Sequence, residues 1–156
     1  GPGLFAGTPG PPEAASDGVV LVPAEESATG RPIVLTQADV RAVQLAKAAI
    51  AAGIEVLLTA TGVPKESVSE VLLAGAFGNY LDIADAKTIG LLPDLPGVPV
   101  RPVGNAAGAG ARLALLSAEA RAEAQRIAAR VTHVELGGRP EFEAAFIRHL
   151  ALTGWA

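Results

Sequence analysis

Neither cysteine nor methionine occurs in these 156 residues, and aromatic side chains are few. Without cysteine the chain cannot form a disulfide, hold a metal or an iron–sulfur cluster through thiolates, or use a thiol nucleophile. Without methionine it is expected to be a fragment or a processed piece of a longer protein. With one Trp, one Tyr and four Phe, its core has to be built from Leu, Val, Ile and Ala, and the length suits one domain with one core. A formal net charge of −4 argues against a nucleic-acid or anionic-membrane surface. Gly, Pro or charged residues interrupt the apolar runs, so none is expected to span a membrane. The opening GPGLFAGTPGPPEAASDG lacks the basic start and apolar stretch of a secretion signal. Residues 1–18 read as a flexible linker, with Gly1-Pro2 a cloning scar; 19–156 read as the folded part, and a cytoplasmic location is the default.

What is present is small residues set against short apolar runs. VLLAGAFGNYL (Val71 to Leu81) and VGNAAGAGARLALL (Val103 to Leu116) each carry an apolar run into a cluster of Gly, Ala and Asn, then into helix-compatible sequence. A buried parallel strand that breaks at glycine and feeds a helix brings backbone N–H groups close to a phosphate or a nucleoside. Gly75 and Gly78 are free to adopt positive φ, and with Ala74 and Ala76 they leave no side chain to block a flat ligand. Ordinary turn chemistry explains such glycines equally well.

Around these segments the pattern alternates strand and helix. Val19 to Val22 and Pro32 to Leu35 read as an antiparallel hairpin about the polar turn 24–31. Thr36 is a natural N-cap with Asp39 in the capping-box position, opening a helix that Gly62 and Pro64 stop near Thr61. Val40, Val43, Ile50, Ile54, Leu57 and Leu58 form its expected apolar stripe, with Arg41, Gln44, Ala51 and Glu55 opposite. A strand at Glu70 to Ala74, a short helix from Leu81 to Ile89 and the turn Gly90 to Asp94 follow. Next come a strand at Val98 to Val103 and a helix from Asn105 to Leu116. Ser117 caps a further helix, with Glu119 in its first turn and Arg130 in its last. Thr132 to Leu136 reads as a strand, and Pro140 opens a last helix with Phe142, Phe146, Ile147 and Leu150 on one face. The order implies an α/β layer structure.

Two nucleotide folds are set aside. Gly104 to Gly110 fits G-x-x-x-G-x-G, but a second helix starts at Ser117 where a ribose-reading strand should follow. Tyr80 has Ala84, not Lys, four residues on, and no P-loop string occurs. The order helix, strand, glycine break, short helix, strand, small-residue helix resembles the second half of the ATPase fold of actin, sugar kinases and the large heat-shock chaperones. Read together, TQADVRAVQLAKAAIAAGIEVLL, LAGAFGNYL, IGLLPD, VGNAAGAGA and the late VEL before a Phe-bearing helix are similar to the C-terminal domain of the reductive activators of corrinoid proteins. The resemblance covers about Val19 to Leu152.

That resemblance implies one half of an actin-like (ribonuclease H-like) ATPase fold, a mixed sheet with flanking helices. It implies an adenosine-binding C-terminal domain of an ATP-dependent, ferredoxin-like activator that returns cobalt(II) corrinoid proteins to cobalt(I). ATP or ADP with Mg would serve the full-length protein, and a 2Fe-2S cluster would sit on an N-terminal domain. The partners would be the N-terminal half of its own ATPase fold, a corrinoid protein and a second copy in a homodimer. Neither nucleic acid nor membrane is expected.

The nucleoside contact falls on Gly75, Ala76, Phe77, Gly78 and Asn79, and the hinge and interface on Gly104, Asn105, Gly108 and Gly110. Asn79 either caps the following turn or hydrogen-bonds ribose, and Phe77 is as suited to core as to stacking. Gln44 and Lys47 match the helix that supplies charged residues to adenine and ribose in the related chaperones. Lys47 otherwise snorkels or pairs with a carboxylate. Asp82, Asp85 and Asp94 suit capping and turns better than a metal. His133 and His149 show no partner, and neither catalytic nor metal-binding residues are assigned. A domain of the same fold kept for protein interaction or dimerisation, without useful nucleotide binding, stays open as the alternative.

Overall fold

The computed structural model describes residues 14–15 and 18–155, which divide into two compact units between Leu45 and Ala46. In the first unit β1 (Ala14–Ala15), β2 (Gly18–Val22) and β3 (Ile33–Thr36) form an antiparallel sheet in that order. Val19 pairs with Leu35 and Val20 with Val34, and the register shifts between Val20 and Val22. This is the expected hairpin. The rest of the stretch read as a linker, residues 1–13 and 16–17, lies outside the described residues.

Helix α1 (Gln37–Thr61) runs across the boundary. Its start is the expected capping box: the Thr36 N–H and hydroxyl donate to Asp39 Oδ2 at 2.8 and 2.6 Å, and the Asp39 N–H donates to Thr36 Oγ1 at 3.2 Å. The Thr36 hydroxyl, and then its N–H, hold the Asp39 carboxyl below its usual range. Gly62, at φ 66°, ends the helix ahead of Pro64.

The buried face of α1 is not the expected stripe. Lys47, Ala48, Ala51, Ala52, Gly53 and Val56 are buried, whereas Val43, Ile50 and Leu57 stay exposed. Ala51, read as lying opposite the stripe, is fully buried. Small side chains let a helix backbone approach its neighbours closely, and the branched residues beside them are left at the margin. By length and mean hydropathy α1 would suffice to cross a membrane, so the expectation that no run is long enough is corrected. Its buried alanines pack inside the fold.

In the second unit β4 (Val71–Ala74) and β5 (Val100–Gly104) pair in parallel, Val71 against Val100 and Leu73 against Pro102. The segment after β4 gives two short helices, α2 (Ala76–Tyr80) and α3 (Ile83–Thr88), where one helix over 81–89 was expected. Asp82 interrupts them, its carboxylate capping α3 by accepting from the Asp85 N–H. Leu91 and Leu92, in the turn that follows, are buried with Ala86 and packed by Leu73, Leu81, Ile89 and Val100. Each such leucine contributes about 1.5–3 kcal/mol through burial, so the GLLP turn is a core element rather than a connector.

After β5 come α4 (Ala106–Leu116), α5 (Ala118–Ala128) and α6 (Pro140–Arg148). Ser117 Oγ caps α5 by accepting from the Ala120 N–H at 3.1 Å. Arg126, not Arg130, occupies the last turn of α5, because the helix ends at Ala128. Thr132 to Leu136 forms no strand: it has no ladder partner among the described residues. On α6 Phe142 and Phe146 pack with ring centroids 6.2 Å apart, but Ile147 is exposed and Ala145 takes the buried position.

Candidate functional site

Parallel pairing puts the C-terminal ends of β4 and β5 at one edge, the position where α/β sheets receive ligands. Both chains break there at glycine. Gly75 has φ 93° and ψ 173°, a region essentially reserved for glycine, and Gly104 has φ 63°. The Gly75 N–H donates to the Gly104 carbonyl at 2.7 Å, tying the two corners together. Helix α2 then starts at Ala76 and α4 at Ala106. A Cβ at Gly75 or at Gly104 would meet nothing within 4 Å. The corner therefore presents bare backbone to open space, with only alanine at the start of each helix.

Gly78 and Gly108 have internal reasons. Gly78 is buried and does not adopt positive φ. A Cβ there would stand 2.8 Å from Leu73 Cβ and 3.0 Å from the Leu73 carbonyl oxygen, so glycine lets α2 seat on β4. Gly108 faces the side chain of Asn105, which caps α4 by accepting from the Gly108 N–H at 2.9 Å. Gly110 meets nothing within 4 Å. No residue of α4 or α5 is buried, and Leu113, Leu115 and Leu116 are 61%, 76% and 73% exposed, which leaves an apolar face uncovered. The side chains of Phe77 and Asn79 lie outside the described residues; their backbone belongs to α2.

Gln44 is half-buried in the first unit, and Lys47 lies in the second. Lys47 is only 2% exposed, and no carboxylate among the described residues pairs with it. Burial pushes the pKa of its ammonium below the ordinary lysine value. Its Nζ faces Gly90, 2.9 Å from where a Cβ would sit. No hydrogen bond among the described residues joins it to the Gly75–Gly104 corner. The three aspartates act structurally: Asp82 caps α3, Asp85 lies in its first turn, and Asp94 pairs with Lys87 at 3.2 Å.

A second cluster escaped the sequence. Glu55 accepts from Arg148 and lies 2.9 Å from His149 Nε2. His149 stacks on Trp155 with centroids 4.9 Å apart, and Trp155 Nε1 donates to the Gly90 carbonyl at 3.0 Å. So His149, read as unpartnered, has two partners. For Glu55, burial raises the pKa, but the hydrogen bonds from His149 and Arg148 and the Arg148 charge outweigh it and hold the carboxyl below its usual range. Beside this cluster opens a cleft of about 740 Å³, walled by Leu58, Pro64, Pro93, Leu95 and Trp155. Glu55 and His149 are 94 positions apart, and no local pattern links them.

A family model described as the C-terminal domain of RACo, the ASKHA domain, matches residues 12–155. The corrinoid activation enzyme RamQ of Eubacterium limosum is 47% identical over 127 residues, 81% of this chain and 21% of that protein. A solved structure titled reductive activator for corrinoid, iron-sulfur protein is 42% identical, with a TM-score of 0.79, over 87% of this chain and 22% of that one. The chain thus spans about a fifth of the length of these relatives. The expected fold, one half of an actin-like ATPase, is borne out by the family match and the structural similarity.

Proposed function

Since the chain belongs to the family of C-terminal ASKHA domains of RACo, we propose that it is the adenosine-binding half of an ATP-dependent reductive activator. The whole protein would return a cobalt(II) corrinoid protein to cobalt(I) in the cytoplasm. One observation carries the nucleotide reading: two positive-φ glycines, Gly75 and Gly104, end neighbouring parallel strands, share a hydrogen bond and face open space. A flat nucleoside can lie against such backbone, and Ala76 at the start of α2 leaves it unobstructed. Gly78 acts indirectly, by seating α2.

The remaining chemistry belongs to other parts of the longer protein. Without cysteine, this segment supplies no thiolate for a 2Fe-2S cluster. A nucleotide bound at the corner would extend its phosphates and Mg toward the preceding half of the fold. The exposed leucines of α4, with Gly104, Asn105, Gly108 and Gly110 at or near its start, form the surface that half would cover. Closure of two halves is then what aligns phosphate and water.

The same uncovered face favours the second reading, a domain kept for protein contact or homodimerisation without useful nucleotide affinity. Calorimetric titration of the full-length protein with ADP separates the two. Saturable binding that weakens at least about tenfold in Gly75→Ala, where a Cβ strains the backbone by about 1–3 kcal/mol, supports the adenosine site. Absence of any ADP binding by the intact protein would refute it.

A further inference from the structure

We propose that the cleft beside Glu55 is a ligand site separate from the Gly75–Gly104 corner, and that it takes a small aromatic monocarboxylate. The inference does not rest on the nucleotide reading, because neither Gly75 nor Gly104 lines this cleft. All of its walls belong to the second unit. They come from the C-terminal end of α1 and the turn after it, from residues 93–95, and from Arg148 and Trp155. The volume of about 740 Å³ lies within the range of small-molecule sites, about 300–1,000 Å³. Such sites are mostly apolar and carry a few placed polar groups, and both features are present here.

The apolar walls are set in advance. Pro93 and Leu95 are buried and Leu58 is half-buried. The rings of Pro64 and Pro93 fix their own φ, so these walls lose little freedom when a ligand enters. Trp155 is held twice over: its Nε1 donates to the Gly90 carbonyl at 3.0 Å, and its ring stacks on His149. An indole pinned in this way, beside proline and leucine side chains, suits a flat apolar body.

The charged groups select the head group. Of the two carboxylates in the walls, Glu55 is engaged by Arg148 and His149, and Asp94 by Lys87. Lys65 lines the same cleft and has no carboxylate partner among the described residues. With Arg148 set against Glu55 and Lys87 against Asp94, Lys65 is the positive charge left over. One negative charge balances it. A phosphate dianion would bring a second negative charge beside Glu55 and Asp94, where it is repelled. Arg148 donates to Glu55 through Nη2, and the rest of its planar fork is free to meet a planar carboxylate. An aromatic ring against Trp155 and the prolines, with one carboxylate toward Lys65 and Arg148, satisfies both halves of the cleft.

The test is a titration of the full-length protein with naphthalene-2-acetate, followed by saturation-transfer NMR, with the uncharged amide of the same acid as control. The acid should bind saturably, with a Kd on the order of 1 mM or tighter, and the amide about threefold or more weakly. Lys65→Gln should weaken the acid by about the same factor and leave the amide unchanged. Val63 lines the cleft and is 41% exposed, so Val63→Trp should fill the cleft without disturbing the core. That variant should weaken acid and amide alike, by about tenfold or more. Both substitutions are at exposed positions and should leave Tm near the wild-type value. No saturable binding of the acid by the wild type would overturn the site. Binding that neither variant weakens would overturn it as well, because the probe would then lie elsewhere. An amide that binds as tightly as the acid would overturn the choice of a carboxylate. Saturating ADP should leave the affinity for the acid unchanged, and competition between them would overturn the claim of a separate site. If ADP did not bind at all while the acid still did, the nucleotide reading would fail and this site would stand.

Discussion

Gly75 and Gly90 share a backbone signature and have opposite surroundings. Both hold positive φ, 93° and 76°, after a regular element. A side chain at Gly75 would enter open space, whereas one at Gly90 would strike the Thr153 carbonyl and the Lys47 ammonium. A left-handed glycine therefore says that the chain turns, and the space around its Cα says whether the turn serves packing or access. The corner at Gly75 and Gly104 is the accessible kind. The turn at Gly90 is the filled kind, sealed by the C-terminal segment.

The largest effect should come from filling what is already filled. Gly90→Ala adds backbone strain to a clash with a main-chain carbonyl, and should destabilise the protein by more than about 3 kcal/mol. Chemical denaturation measures it. A loss below about 1 kcal/mol would mean that the C-terminal segment yields readily.

Gly75→Ala comes next. It incurs the conformational penalty alone, about 1–3 kcal/mol, because nothing crowds the new Cβ. It should melt above Gly90→Ala and yet bind ADP more weakly than the wild type. If it lowered stability as much as Gly90→Ala does, the two turns would not differ in the way described.

Much of this arrangement was legible and some was not, for separable reasons. The caps at Thr36, Asn105 and Ser117 could be read because the side chain and the N–H it satisfies lie three positions apart. The strand–glycine–helix corners were legible for the same local reason. The buried face of α1 was not, because apolar residues lie almost all round that helix. Ala51 against Ile50 is decided by what packs on it, not by period. Thr132 to Leu136 has strand-forming residues but no ladder partner among the described residues, and propensity cannot supply one. At Gly78 the expected positive φ is absent, and only the Leu73 contact shows that the missing Cβ lets α2 seat on β4. The cluster of Glu55, His149 and Trp155 joins distant segments and had no local signal.

Gly110 tests the open side with a smaller change. It is an exposed helical glycine with nothing within 4 Å of its missing Cβ. Gly110→Ala should stabilise α4 by about 0.5–1 kcal/mol on propensity alone, read as a higher Tm. Gly110→Leu separates an open face from a covered one. If the preceding half of the fold lies on α4, the larger side chain should slow ATP turnover by the full-length protein while Ala does not. Equal turnover in both would leave the face uncovered and weaken the hinge reading.

The smallest effect should come from acid, and it distinguishes the filled region from the open one by how each is held. The contacts at the Gly75–Gly104 corner are backbone hydrogen bonds, which do not titrate, whereas the C-terminal segment is fastened partly through the Glu55 carboxylate. Burial works to raise the Glu55 pKa, but His149 and Arg148 outweigh it, so in the folded state the carboxyl lies below its ordinary range. A carboxyl depressed in the folded state gives stability that is fully present above its unfolded pKa and is lost as pH falls through the folded one. Wild type and Glu55→Gln should therefore differ in Tm above about pH 5 and converge as the pH drops below about 4. The difference should be modest and should shrink in high salt, because the Glu55 and Arg148 side chains are 37% and 57% exposed and solvent screens the pair. If instead the Tm curves of the two proteins stayed parallel down to pH 3, the carboxylate would not be what fastens the segment, and the burden would fall on the Trp155 indole alone.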